Sequence, residues 1–325
     1  MKVLFVGDVM LGRLVNRELG RRWPEYPWGD TLPVFKNADA RIINLECVIS
    51  DRGEPWSVTP KAFHFRSDSR NISVLKAARI DAVSIANNHS LDYGYEALYD
   101  MLDALDAAGI RRAGAGRSLD EAAAPAFFEV KGKRCALIAF TDNEPEWEAG
   151  PGSPGVYYVP VDLDDSRAAG LFERVGDARK KADFLVVSAH WGPNWGYRPR
   201  PNHGPFGRKL LESGAHVVFG HSCHVFQGIE FHEEGALIYS SGNFIDDYAV
   251  DEVERNDESF IFTADFDGRV RSIDLRPTVI DEFSAHMADS PRAELIAAKM
   301  KNLCAEMGSR VEWDEERAAL LVAPR

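Results

Sequence analysis

The 325-residue chain is short of positive charge, poor in cysteine and free of any long apolar run. Its 38 basic residues face 51 acidic ones, a formal net charge of -13. Bulk charge therefore argues against nucleic acid and anionic lipid as partners, and an anionic ligand needs a local basic patch or a metal ion. Four cysteines, at positions 47, 135, 223 and 304, are too widely spaced for a disulfide framework, and none forms a C-x-x-C pair. They read as reduced thiols. No stretch approaches the roughly 18 apolar residues that span a bilayer. Val3-Leu4-Phe5-Val6, ahead of Gly7-Asp8, is too short for the core of a signal peptide. The expectation is a cytoplasmic protein with no membrane span.

Several catalytic signatures are also missing. There is no G-x-S-x-G, and Gly114-Ala115-Gly116 lacks the third glycine of a dinucleotide fingerprint. Lys131-Gly132-Lys133-Arg134 lacks the flanking residues of a phosphate loop. His232-Glu233-Glu234-Gly235-Ala236 starts like a zinc-protease motif but has no second histidine and falls at a turn.

What is present is a core-forming chain, 45% apolar or aromatic. Short apolar runs alternate with amphipathic segments, the pattern of an α/β sheet covered by helices. The runs at 2–6, 41–44, 81–85, 135–140, 184–188 and 216–219 are rich in Val, Ile, Leu and Phe and predict buried strands. Helices are predicted over 95–108, 171–182 and 206–212. From about Ile229 the texture turns to strand-turn-strand (236–240, 260–266, 270–275, with Asp267-Gly268 as a hairpin turn), which suggests a second sheet layer. The tail predicts a helix over 293–307 followed by one short strand.

The informative feature lies where the strands end. They run into Gly7-Asp8, Asn44-Leu45-Glu46, Asn87-Asn88-His89, His190-Trp191-Gly192 and Gly220-His221-Ser222-Cys223-His224. Open α/β sheets bind ligands beyond the carboxyl ends of their strands, so groups scattered over the sequence can meet in one crevice. Singly, each has an ordinary explanation, because Asp and Asn make turns and buried histidines are commonly hydrogen-bonded core residues. Jointly they form a mixed oxygen and imidazole set suited to Zn, Mn or Fe rather than to Ca or Mg.

The ordered blocks GDVMLG, NLECVIS, ANNHSLDYG, HWG, GHSCHVFQ and YSSGNF resemble the CapA family of poly-γ-glutamate capsule-biosynthesis proteins, within the calcineurin-like metallophosphoesterase superfamily. The likeness runs from about Lys2 to Phe244. It implies an α/β (α+β) fold, a four-layer αββα sandwich over residues 1–280, with 281–325 as a C-terminal helix and strand packed on the same domain. It also implies one or two divalent metal ions (Mn, Fe or Zn). Asp8, Glu46 and His224 would serve one ion and Asn88, His190 and His221 the other, with Glu46 as the bridge.

The chemistry of the residues agrees with that assignment. Two close cations need an anionic bridge, and together they make water nucleophilic at neutral pH. His89, adjacent to Asn88, is better placed to protonate a leaving group, with Asp92 fixing its tautomer. Two departures stand out. Metallophosphoesterases carry Asp-x-His in the first block, whereas this chain reads Asp8-Val9-Met10, so one imidazole ligand is missing. The last histidines, His221 and His224, are three residues apart, which fits the CapA pattern rather than that of ordinary phosphatases.

The segment from Trp191 to Leu211 has no Asp or Glu but carries Arg198, Arg200, His203, Arg208 and Lys209. A basic stretch in an acidic protein suggests an anion site, alternatively a solvated loop over the core. Arg pairs with carboxylate and phosphate alike, so it does not separate a phosphoester from a polyglutamate-like chain. Arg13 and Arg66 are further substrate-binding candidates, and Asn243 orients a ligand or makes a turn. Three readings stay open: a metal-dependent hydrolase of an anionic small molecule or polyglutamate-like substrate, an accessory of polyglutamate capsule synthesis, or a binding module with a degenerate site.

Overall fold

The computed structural model describes residues 1–233 and 235–325. The apolar runs form strands β1 (Lys2–Val9), β2 (Ala40–Leu45), β3 (Ala82–Ser84), β4 (Lys133–Thr141), β5 (Phe184–His190), β6 (Val217–His221) and β7 (Gly235–Ile238). Their continuous apolar character has a physical cause, since both faces of each sheet are covered. In β1, Leu4 and Val6 face one apolar cluster while Val3 and Phe5 face another.

Two sheets result. In the first, β1, β2, β3 and Arg111–Ala113 run parallel. In the second, β4, β5, β6 and β7 are parallel, with Ala126–Val130 and Ile229–His232 antiparallel at its edges. The near-motif at His232 sits at the hairpin into β7, and Glu234 lies outside the described residues.

Three buried clusters define four layers. Val3, Phe5, Ile42, Leu137, Phe184, Val186 and Phe219 fill the space between the sheets. Leu4, Val6, Ile43 and Val83 pack under the helix α1 (Gly94–Ala107), through Leu98, Met101, Leu102 and Leu105. Ile138, Phe140, Leu185, Val187 and Val218 pack under α2 (Ser166–Arg179) and α3 (His203–Glu212). The architecture is an αββα sandwich. Helix α2 starts earlier than its apolar spacing predicts, because Asp165 caps it by accepting the Arg167 N–H.

The C-terminal part corrects the sequence reading. Strands β8 (Glu258–Phe266) and β9 (Val270–Asp281) do not form the second layer; they extend the first sheet, with β8 antiparallel to β1. The register Val3↔Ala264 and Phe5↔Phe262 explains why, since it lays Phe260, Phe262 and Ala264 onto the core between the sheets. The tail carries the helix α4 (Ser290–Glu306) and two strands rather than one, Arg310–Asp314 and Ala319–Ala323, the second paired with β9. Ile296, Met300, Leu303 and Cys304 of α4 enter the same core. No described helix is long and apolar enough to cross a membrane.

Candidate metal centre

The parallel strands of both sheets deliver their last residues to one place. Asp8 is next to the end of β1, His190 ends β5 and His221 ends β6, where the two histidines are register partners. Ligand atoms of Asp8, His190 and His221 all lie within 4.8 Å of one another, and all three residues are buried. His190 Nδ1 is 2.8 Å from His221 Nδ1, which in turn is 3.7 Å from Asp8 Oδ1. On its other side His190 Nε2 meets Asn88 Oδ1 at 2.9 Å and Glu46 Oε1 at 4.0 Å. Asp8, Glu46, Asn88 and His221, all expected as ligands, thus gather around His190.

The neighbours fix these groups. The Asn44 amide donates to Asp8 Oδ1 (2.7 Å), and Asn87 donates to Asn44 Oδ1 (3.0 Å). Ser188 Oγ lies 2.6 Å from His221 Nε2, which leaves Nδ1 as the nitrogen facing the cluster. Backbones crowd closely: a Cβ on Gly7 would sit 2.0 Å from the Gly242 carbonyl oxygen. Ser222, immediately after His221, has φ of 96°, a backbone conformation that residues with a side chain rarely adopt and that is often retained at functional sites.

The donor set fits a divalent cation. Asp8 Oδ2 and Glu46 Oε2 are buried without a hydrogen-bond partner. Burial pushes the Asp8 carboxyl up to about 7 and raises Glu46 well above its ordinary value, the charge of Asp8 adding to the second shift. Burial also holds His190 well below 6.5 and His221 down at about 3, so both imidazoles are neutral, the form that binds metal. Burial thus opposes the ionised form of both carboxylates, and beside neutral imidazoles a cation is the counter-charge that would restore it.

A cavity of about 520 Å³ opens over the cluster, lined among others by Glu46, Asn88, His89, His224, Arg13 and Trp195. His89 Nδ1 is 2.6 Å from Asp92 Oδ2, which also accepts the Phe65 N–H. Burial holds His89 well below its usual value, so this contact is a hydrogen bond to a neutral ring. Phe65 stacks on that ring at 3.9 Å. Asn88 Nδ2 lies 3.2 Å from His89 Nε2. His224 stands apart from the Asp8 cluster, its Nδ1 3.0 Å from Asn243 Oδ1.

The arginines divide. Arg13 lines the cavity, its Nε 3.3 Å from Asp247 and its guanidinium over the rings of Phe63 and Phe65. Arg66 is turned to the carbonyls of Arg52 and Gly53 and lies over Tyr93, away from the cavity. Arg198 forms a two-pronged pair with Glu306, and Arg200 does not line the cavity. The basic stretch is neutralised from elsewhere in the chain, since Arg208 pairs with Glu230 and Lys209 with Glu212. Arg66 and Arg198, expected to bind substrate, are thus engaged with partners within the chain.

Lys61 was not foreseen. Its ammonium donates to the Asn88 carbonyl (2.6 Å) and to Glu144 (2.9 Å), and sits 3.5 Å from Asp92. It lies in an irregular loop among prolines, where no local pattern marks it. Tyr248, half-buried with its hydroxyl buried and unpartnered, also lines the cavity and was equally silent in sequence.

The model of the family described as bacterial capsule synthesis protein PGA_cap matches residues 2–248. The chain belongs to that family. Among the relatives of this PGA_cap chain, a probable polyglutamine synthesis accessory protein of Mycobacterium tuberculosis is 30% identical over 319 residues, 92% of this chain and 83% of its own length. The PGA biosynthesis protein CapA of Bacillus subtilis is 29% identical over 245 residues, 75% of this chain and 62% of that protein. The capsule biosynthesis protein CapA of Bacillus anthracis is 27% identical over 249 residues, 76% of this chain and 60% of that protein. This chain therefore spans about three fifths of those two CapA proteins. Among solved structures, a hypothetical protein from Thermus thermophilus is similar with a TM-score of 0.49 at 16% identity, over 85% of this chain and 98% of that one, too loose a likeness to bear on activity.

Proposed function

We propose that this PGA_cap protein is a metal-dependent hydrolase that turns water on an anionic substrate, a phosphoester or a γ-glutamyl or related amide, in poly-γ-glutamate or capsule metabolism. One observation carries the reading. Buried carboxylate oxygens of Asp8 and Glu46 have no partner, beside neutral imidazoles and next to a large cavity. Such crowding is costly unless a cation compensates it. One or two ions of Mn, Fe or Zn, held by Asp8, Glu46, Asn88, His190, His221 and His224, would supply Lewis acidity and a water acidic enough to react at neutral pH.

The chain's own groups do the rest. His89, its Nδ1 oriented by Asp92, takes up on Nε2 the proton released by the attacking water and passes it to the leaving group. Arg13, clamped between Asp247 and two phenyl rings, meets the substrate's anionic end, and Asn243 orients His224. The polymer link comes from the names of the Mycobacterium and Bacillus relatives. The cytoplasm is the compartment we propose, on four buried thiols that are all free.

A second reading, a non-catalytic accessory with a degenerate site, is favoured by Met10 in place of an imidazole and by the accessory role in the Mycobacterium relative's name. Elemental analysis of the purified protein beside a His190→Ala, His221→Ala double variant separates the two. A panel of phosphomonoester, phosphodiester and γ-glutamyl substrates follows on the same samples. Bound Mn, Fe or Zn that disappears in the variant together with turnover supports the hydrolase. Metal without turnover on any substrate supports the accessory, and no metal after reconstitution removes the hydrolase and leaves a binding protein with a degenerate site.

A further inference from the structure

We infer that Asp246 is a ligand of the second cation and takes the place of the imidazole that Met10 does not supply. The inference rests on the metal reading above and names the residue that completes it.

Met10 itself is committed elsewhere. It is fully buried in the core under the outer helices, and its sulfur takes the Gly12 N–H at 3.0 Å. The segment Asn243–Ile245 runs parallel beside the end of β1, with Asp8↔Asn243 and Val9↔Ile245 as register partners. The Met10 N–H donates to the Ile245 carbonyl at 2.8 Å. The next residue, Asp246, is thereby delivered beside Met10, at the end of β1 that carries Asp8.

Its side chain is unspent. Asp246 is 5% exposed; one carboxylate oxygen accepts the Tyr248 N–H at 2.9 Å and the other, Oδ2, has no partner. Among the described residues no Lys, Arg or His forms an ion pair with it. Its neighbour Asp247 also has an unpartnered oxygen, Oδ1, but its charge is paired, since its other oxygen takes the Leu14 N–H and the Arg13 guanidinium. Asp8 Oδ2, Glu46 Oε2 and the Tyr248 hydroxyl are likewise buried and unpartnered. The charge of Asp246 bears on Glu46 and that of Asp8 bears on Asp246, which puts the three carboxylates within electrostatic reach of one another.

Asp246 stands outside the tight Asp8, His190 and His221 group. The two cations would then have unlike ligands. One draws on His190, His221 and Asn88, and the other on Asp8, Glu46 and Asp246 with His224 as its nitrogen. An oxygen-rich set prefers a harder ion, so Mn²⁺ is the appropriate probe.

The test is Mn²⁺ titration by calorimetry, with metal counted after gel filtration, on EDTA-stripped wild type, Asp246→Asn, Asp247→Asn and His190→Ala proteins. Thermal unfolding of each stripped protein checks that it is folded. The expected result is two equivalents in wild type and in Asp247→Asn. In Asp246→Asn one equivalent is lost or weakened at least tenfold while the other persists, and His190→Ala loses the complementary one. Unchanged stoichiometry and affinity in Asp246→Asn overturns the assignment while leaving the metal reading intact. Equal loss in Asp247→Asn also overturns it, because a general charge effect then suffices. No uptake by wild type overturns the metal reading and this inference together.

Discussion

Replacing Asp8 by Asn should stabilise the metal-free protein and destabilise the metal-loaded one. Asp8 is 1% exposed, has one unpartnered oxygen, and faces imidazoles held neutral by burial. Its carboxyl is raised from 3.8 to about 7, and burial is the leading cause. That distance corresponds to a penalty of up to about 4 kcal/mol for the ionised form. Because the folded-state value lies above the unfolded one, stability is complete below pH 3.8 and is lost as pH rises through about 7. The amide isostere keeps an acceptor for the Asn44 donor and carries no charge. In EDTA at pH 8, Asp8→Asn should therefore melt higher than wild type by up to roughly 6 °C for a chain of this length. At pH 5 the gap should shrink to about 2 kcal/mol. With Mn²⁺ at about a thousand times its Kd the gap should close at pH 8 and the order should invert at pH 5, because wild type gains about 4 kcal/mol from binding that the variant forgoes. Thermal unfolding in the two buffers reads this directly. A variant less stable than wild type both with and without metal would refute the reasoning and make Asp8 an ordinary structural residue.

Three further outcomes follow from the geometry. Asn88→Ala should lose metal, whereas His89→Ala should keep metal and lose turnover; loss of metal in both, counted by elemental analysis, removes the division of roles. His216 is buried between Phe184 and Phe266, and its Nδ1 accepts the Leu185 N–H at 3.0 Å, so burial depresses it to about 4. With the folded value below the unfolded 6.5, wild type should lose stability as pH falls between those values, about 3 kcal/mol by pH 4. His216→Asn should flatten that part of the slope in urea unfolding, and parallel slopes would contradict the argument. Gly7→Ala would drive a Cβ to 2.0 Å from the Gly242 carbonyl oxygen, so a loss of roughly 3 kcal/mol or more is expected from denaturant midpoints, and a near-neutral variant would mean that the two strands separate easily.

The strands were legible because burial on both faces demands unbroken Val, Ile, Leu and Phe, and composition alone carries that signal. That Asp8, Glu46, Asn88, His190 and His221 come together was legible for a related reason: parallel strands end together, so polar groups written at five strand ends can converge. The arginines were less transparent. A window from Trp191 to Leu211 without acids looks unpaired in sequence, yet Glu306, Glu230 and Glu212 come to Arg198, Arg208 and Lys209, the first two from well beyond that window. The C-terminal strands were recognised as strands but assigned to the wrong sheet, because alternation shows that one face is buried and not against which partner.

The sequence by itself determined the main buried strands and the longer helices, the order of the polar strand ends and the family, all of which depend on local pattern or on motifs in fixed order. Only the tertiary structure decided which sheet closes beside β1, that Lys61 reaches Asn88 and Asp92, that Arg13 and not Arg198 faces the cavity, and that the segment carrying Asp246 runs beside the end of β1. Each of these is a meeting of residues far apart in the chain, chosen by which buried charge or apolar face was left without a partner.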